Sequence, residues 1–349
     1  MEKVAVIIVN YNGFKYLPDL LGSIFKYPPS LVEQKIIIVD NASTDGSLSW
    51  LKSHYPQTIV LQAQKNLGFA SGNNLAITYV LKNGFDYVML LNQDTIVTEG
   101  YLDKLIKALK VNNKAAAVQP LLLLHPETNL VNSYGNVIHY LGFGYTAGHR
   151  ENKFAIKSLK NPINYCAGAA CLIKISALKK VGLFKDELFM YHEDLDLGWR
   201  FKLAGYQNII EPGAVVYHKY EFSRSLKKYY FMERNRFMVM LENYRAVTLL
   251  LILPALIIME IGLLLFAVKG GWFKEKIKVY AYFCSVKHWR LIFNRRKQTQ
   301  KLRVWPDSAI VKSFAGIITN QEIKNFAVDN LANPFFNAYW EIIKYLIIW

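Results

Sequence analysis

Six side chains stand in settings that can do chemistry: Asp40, Asp94, Glu193, Asp194, Asp196 and His218. Asp40 and Asp94 each close a run of apolar residues. A carboxylate at the carboxyl end of a buried strand can hold a divalent cation against a phosphate. In open α/β sheets, ligands collect at that edge. The plain alternative is a loop aspartate capping the next helix. Glu193, Asp194 and Asp196 fall together beside Tyr191 and His192. Acids are favoured in a first helical turn, so capping accounts for one or two of them. Three exceed that need, and clustered carboxylates raise one another's proton affinity, which suits a general base. Asp196 and Arg200 stand four apart and are expected to pair across one helical turn. His218 ends a short apolar run over 214–217. A lone histidine there is more often structural, yet a neutral imidazole would complete a carboxylate site for Mn²⁺ or Mg²⁺, better for Mn²⁺.

These residues need a scaffold that brings them together. Residues 4–9, 36–39 and 87–91 are apolar runs of the kind buried on both faces of a sheet. They end in Asn10-Tyr11-Asn12, Asp40-Asn41 and Asn92-Gln93-Asp94. Helical patterns fill about 16–27, 47–55 and 71–83. Strands alternating with helices imply βαβ units and a mainly parallel sheet. Right-handed crossovers then put the polar tips on one edge. Between the second and third of these runs lie Asn66, Gly68, Gly72 and Asn73. The glycines permit close backbone approach, and the helix expected from Ser71 offers its N-terminus to a phosphate or sugar hydroxyl.

The chain has 349 residues, enough for one large domain and an appendage. Its hydrophobic share of 52% is high for a purely soluble protein. A formal charge of +16 suits a nucleic acid, an anionic membrane surface or a phosphorylated substrate. Cys166, Cys171 and Cys284 fit no zinc or redox spacing, so buried reduced thiols are expected. The first strand begins by residue 4, which leaves no expected room for a signal peptide.

Character changes near residue 223. The expected division is a catalytic α/β domain over 1–222 and a helical membrane-attachment region over 223–349. Within the latter, 224–245 reads as a basic, aromatic helix. Residues 247–268 carry Glu260 as their only charge, a stretch long enough to cross a bilayer. Residues 272–304 then hold ten Lys/Arg against one acid, interleaved with aromatics. A single span would leave those cations on the far side, against the positive-inside bias. Pro254 and Glu260 are awkward in a straight lipid-exposed helix. A bent or re-entrant insertion with interfacial helices on anionic lipid is therefore expected.

Together, residues 6–12, 39–47, 66–74, 90–94 and 191–196 resemble the family 2 glycosyltransferases. Within that family they are most similar to bacterial rhamnosyltransferase-type enzymes. The resemblance covers about residues 3–222. It implies a GT-A fold, an inverting transfer and a nucleotide-sugar donor, dTDP- or UDP-linked. It implies donor contacts from Asn10, Asn12, Asp40, Asn41, Asn66, Gly68, Asn73, Asn92 and Asp94. Asp94 matches the last position of the family's metal motif, with Asn92 where many members carry an acid. His218 matches a metal-binding histidine of galactofuranosyltransferase-like members. Asp194 matches the catalytic base. Gly168, Glu193, Trp199 and Arg200 fall on the acceptor side. Processive synthases carry a Gln-x-x-Arg-Trp motif; Trp199-Arg200 has the reverse order, so single addition is expected.

The hydrophobic tail makes a lipid-linked glycan the expected acceptor, at the cytoplasmic face of a bacterial inner membrane. Arg234 and Arg236 would then meet either its diphosphate or anionic lipid headgroups. Other readings are a galactofuranosyl- or hexosyltransferase, a non-catalytic sugar-nucleotide-binding protein, or a nucleic-acid-binding protein using the positive charge. The apolar stretch 247–268 speaks against nucleic acid, since nothing in such binding calls for it.

Overall fold

The computed structural model describes residues 1–220, 226–319 and 328–349. Strands β1 (Lys3–Asn10), β2 (Glu33–Asp40), β3 (Ile59–Gln62), β4 (Tyr87–Asn92), β5 (Thr95–Val97), β6 (Ala115–Leu124) and β7 (Val131–Ser133) lie in one sheet. A separate hairpin follows, β8 (Asn136–Ile138) with β9 (Gly144–Thr146). β10 (Ala170–Lys174) and β11 (Gln207–His218) return to the large sheet. Its order is β3-β2-β1-β4-β10-β6-β11-β5, with β7 on β6. β3, β2, β1 and β4 are parallel, as the apolar runs and intervening helices require. β10 enters antiparallel between β4 and β6, and β5 and β7 also pair antiparallel, so the sheet is mixed.

Register brings the tips together. Asn10 stands opposite Asp40, Val9 opposite Asn92, and Thr95 opposite His218. Helices α1 (Leu17–Lys26), α2 (Ser47–His54), α3 (Gly68–Lys82), α4 (Tyr101–Val111), α5 (Ile175–Val181) and α6 (Glu193–Leu203) accompany the sheet. α1 shows why they pack: Leu17, Leu20, Leu21 and Ile24 recur at helical spacing and are fully buried. Apolar clusters fill both faces of the sheet.

The C-terminal region is helical: α7 (Lys227–Asn243), α8 (Ala246–Lys269), α9 (Phe273–Phe283), α10 (Val286–Lys301), α11 (Asp307–Val311) and α12 (Asn333–Ile343). The expected boundary at 222/223, and residue 224 as a helix start, lie outside the described residues. The two parts share a core. Leu195, Trp199 and Leu203 of α6 pack in one cluster with Met238 of α7, Ile252 of α8 and Trp340 of α12.

α8 corrects the expectation of a re-entrant turn. It is one 24-residue helix running through Pro254, with a mean hydropathy of 2.7 over an 18-residue stretch. Glu260 needs no break in the helix because its charge is met from the packed side. Arg236 of α7 and Lys276 of α9 bond to it, Lys276 at 2.7 Å, and Tyr280 donates to it at 3.0 Å. Glu233 bridges the same two cations. Arg236 is fully buried and also donates to the Leu141 carbonyl, so it faces neither headgroup nor diphosphate. Arg234 is 7% exposed and donates to the Glu187 carbonyl. Around the rest of its surface α8 exposes Leu250, Leu253, Ile257, Ile258, Ile261 and Leu265, and Leu253, Ile257 and Ile261 border Glu260 itself.

Candidate active site

Asp94 follows the tip of β4, and the short β5 folds straight back onto β11. That pairing brings His218 Nε2 to 3.3 Å from Asp94 Oδ1. Lys219 N donates to the Asp94 carbonyl at 2.8 Å and fixes the backbone beneath. On the other side of the ring, Nδ1 stands 2.9 Å from Asn132 Oδ1. An Nδ1 proton donated to that oxygen leaves the Nε2 lone pair facing a carboxylate oxygen. Two acceptors so placed can hold a cation between them. Ligands cis on an ion at about 2.1–2.2 Å lie about 3 Å apart, which matches the separation, and imidazole with carboxylate suits Mn²⁺. Among the described residues no cluster of three His, Cys, Asp or Glu accompanies them. Any further ligands would come from substrate or water. Asn132 sits in the three-residue β7 and carries no sequence signal of this role.

Asp194 opens α6. Its Oδ2 accepts from Gly168 N at 3.1 Å and its Oδ1 from Leu195 N at 2.7 Å. Gly168 lies just before β10, and Ala169 O accepts from Asn92 N at 2.9 Å, so Asp194 is tied to the β4 tip through two residues. Burial holds the Asp194 carboxyl above the usual aspartate range, against the backbone N–H groups that pull it down. Its neighbour Glu193 is pushed well above the carboxylate range, by burial first and then by the Asp194 charge. Glu193 Oε2 has no hydrogen-bond partner. Glu193 therefore keeps its proton while Asp194 ionises first.

The residues expected on the donor side brace the turns at the strand tips. Asn10 Nδ2 donates to Asp40 Oδ1 (3.2 Å), Ser43 Oγ (3.0 Å) and Ser47 Oγ (2.8 Å), fixing the turn after β2. Asn12 Oδ1 accepts from Thr44 N at 2.8 Å. Gln93, which the sequence reading passed over, accepts from Tyr11 N at 2.9 Å and clips the β1 and β4 tips together. A Cβ on Gly13 would lie 2.4 Å from that Gln93 oxygen, so only glycine fits the clip.

The glycine-rich stretch differs from expectation. α3 starts at Gly68, earlier than Ser71, and its N-terminus is occupied by protein. Phe69 N and Ala70 N donate to the Phe189 carbonyl at 2.7 and 3.1 Å. A Cβ on Gly68 would lie 2.5 Å from that oxygen. Asn41 bonds Asn66 Oδ1 and Gly68 O, and Asn73 donates to Phe69 O. Asn41, Asn66, Gly68 and Asn73 thus shape the loop, and the close approach is to the segment preceding Asp194 rather than to a phosphate.

Two acceptor-side expectations are corrected. Trp199 is fully buried, edge-on to Tyr244 and Phe314 at 4.7 and 4.8 Å. Arg200 is 3% exposed and pairs with Asp196 at 2.8 Å, the pairing read from the sequence, while bonding the Val181, Gly182 and Leu183 carbonyls. Neither can reach an acceptor. Trp199→Ala is expected to cost about 3–5 kcal/mol of unfolding free energy, read as a lower denaturant midpoint with no selective loss of acceptor affinity.

Known proteins resemble this chain in sequence and fold. The profile of Glycosyl transferase family 2 matches residues 5–182. An N-acetylglucosaminyl-diphospho-decaprenol L-rhamnosyltransferase of Mycobacterium tuberculosis is 27% identical over 240 residues, 62% of this chain and 76% of that protein. Rhamnosyltransferase WbbL of Escherichia coli K12 is 28% identical over 212 residues, 58% of this chain and 78% of that protein. The crystal structure of GalNAc-T7 with UDP, GalNAc and Mn²⁺ superposes with a TM-score of 0.56 at 14% identity, over 69% of this chain and 48% of that one. That likeness shows the GT-A fold.

Proposed function

Since the chain belongs to glycosyl transferase family 2, we propose that it moves one sugar, rhamnose-like, from a nucleoside-diphosphate donor to a lipid-linked saccharide with inversion. The observation that carries this reading is the convergence of Asp94 and His218 at 3.3 Å beside the strand tips, with Asp194 tied to the same tips through Gly168. The rhamnosyltransferase relatives support the sugar, and the decaprenol-linked substrate named for one of them supports the acceptor class. A UDP- or dTDP-linked donor would lie over the edge formed by Asn10, Asn12, Asp40 and Asn92.

Asp194 accepts the proton of the acceptor hydroxyl as its oxygen attacks the anomeric carbon. The carbon–oxygen bond to the diphosphate breaks, and the nucleoside diphosphate leaves with the electron pair. A divalent cation, Mn²⁺ or Mg²⁺, held by Asp94 and His218 would offset the charge gathering on that leaving group. Gly168 N–H holds Asp194 in place, and buried Glu193 keeps a second negative charge away from the base. No protein nucleophile is required.

The apolar face of α8 would lie in the cytoplasmic leaflet of the inner membrane, with exposed Phe335, Ile342, Tyr345, Leu346 and Ile348 of the C-terminal segment beside it. Lys274, Lys278, Lys287 and Arg290 would meet anionic headgroups. An enzyme so held would act on a lipid-linked intermediate of surface polysaccharide synthesis.

A thermal-shift screen of the detergent-solubilised chain tests the reading. The probes are dTDP-rhamnose, UDP-GlcNAc, UDP-galactose and UDP-galactofuranose, each with and without Mn²⁺. A Mn²⁺-dependent rise in melting temperature with dTDP-rhamnose above the others is expected. A larger rise with UDP-galactofuranose would replace the sugar, and no rise with any donor would sink the transferase reading of this site.

A further inference from the structure

The segment leading into Asp194 is strained. Phe189 has φ 59° and ψ −63°, and Met190 N donates to Leu188 O at 2.6 Å. This is the γ-turn of positive φ, a rare conformation for a residue with a side chain. Tyr191 and His192 follow with φ 67° and 66°. Three such residues so close together persist only where the surroundings hold them.

Two clamps do so. One is the α3 N-terminus, through Phe69 and Ala70 on the Phe189 carbonyl. The other is Asn235 of α7, which is fully buried. Its Nδ2 donates to Leu188 O (2.8 Å), Met190 O (3.0 Å) and Tyr191 O (2.7 Å). Its Oδ1 accepts from Arg234 Nε and Nη2 at 3.0 and 2.7 Å, which fixes the end of the amide that faces the carbonyls. The Phe189 ring stacks on Phe231 of the same helix at 5.0 Å. From Tyr191 the chain passes directly into the first turn of α6, where Asp196 N bonds His192 O at 2.8 Å. A rotated peptide at 191–192 would therefore swing the Asp194 carboxylate off Gly168.

We propose that Asn235 is a positioning residue for Asp194, latching the strained segment 188–192 that sets the direction of the base. The inference rests on Asp194 acting as the base. Asn235 touches no reacting atom, and it belongs to the C-terminal region. Its neighbour Arg236 grips Glu260 of α8, so a single turn of α7 joins the apolar helix to the catalytic loop.

The test compares Asn235→Ala, Asn235→Ser and Asp194→Asn with the native chain. Readouts are nucleoside diphosphate release from the donor chosen by the screen, donor KM, and amide hydrogen exchange. In Asn235→Ala, kcat should fall about 10²-fold with donor KM held within about threefold, since a misplacement near 1 Å costs that much. Exchange should rise across 188–196 and stay native elsewhere. Asn235→Ser, with one donor left, should recover part of the rate; it replaces Ala in every comparison if the Ala chain does not fold. A native kcat overturns the proposal, as does a lost kcat without faster exchange in 188–196. An active Asp194→Asn enzyme removes the base reading. An inactive one beside a fully active Asn235→Ala removes the positioning role alone.

Discussion

Asp194→Asn is expected to lower sugar transfer by about 10²–10⁴-fold, the range a general base supplies, while nucleotide binding survives. Asparagine keeps the shape and can still accept from Gly168 N through its carbonyl oxygen, giving up only the Leu195 N bond, so a loss with the fold intact reports chiefly charge and basicity. Glu193 cannot stand in. It is 7% exposed, and burial followed by the Asp194 charge holds its proton well above the carboxylate range. The pH dependence has a definite sign. Burial raises the Asp194 carboxyl above the usual aspartate range, so its ionised form, and with it the rate, should appear at higher pH than for an exposed aspartate. Stability moves oppositely. The folded carboxyl holds its proton more tightly than the unfolded one. That contribution is complete below the unfolded value and is lost as pH rises through the folded one. Initial rates against pH, with Mn²⁺-dependent UDP thermal shifts as the binding control, check both signs. Turnover retained in Asp194→Asn would take the base role from this residue.

Neighbours set by strand order are legible in the sequence, and neighbours set by packing from afar are not. β1, β2 and β4 are apolar runs ending in polar tips, and the parallel register that joins Asn10, Asp40 and Asn92 follows from that pattern alone. Asp94 and His218 were recognisable as residue types, but their meeting depends on β5 doubling back onto β11. Glycine at 68 signals close approach without saying to what. The partner is the Phe189 carbonyl, far along the chain, and no local pattern carries that. Trp199 follows Asp194 by five residues, about 140° round a helix at about 100° per residue, so it faces the core instead of the acceptor. Arg236 looked like a headgroup contact because its neighbours are basic and aromatic. Its acids, Glu233 and Glu260, neutralise it inside the helical region. Asn235 and Asn132 carried no signal at all, since a buried amide that orients other groups has no spacing of its own.

His218→Ala is expected to remove most of the Mn²⁺-dependent stabilisation by UDP, and Asp94→Ala to do the same. Among the described residues no third His, Cys, Asp or Glu joins these two, so deleting either leaves the ion one protein ligand besides substrate and water. The milder change at Asn132 separates a metal site from a simple ion pair. Asn132 Oδ1 lies 2.9 Å from His218 Nδ1, and accepting a proton from it would select the tautomer whose Nε2 lone pair faces Asp94. Loss of such a supporting bond typically weakens a metal by about 10–100-fold. Asn132→Ala should therefore shift half-saturation by Mn²⁺ to higher concentration without lowering the plateau of stabilisation. Were His218 instead a protonated partner of Asp94, its removal would free the carboxylate and Mn²⁺ half-saturation would hold or improve. Titrating Mn²⁺ in the thermal-shift assay at saturating UDP distinguishes the two without any turnover. An unchanged midpoint in His218→Ala would take the histidine out of the site and leave Asp94, with Asn92 beside it, as a lone carboxylate at the strand tip.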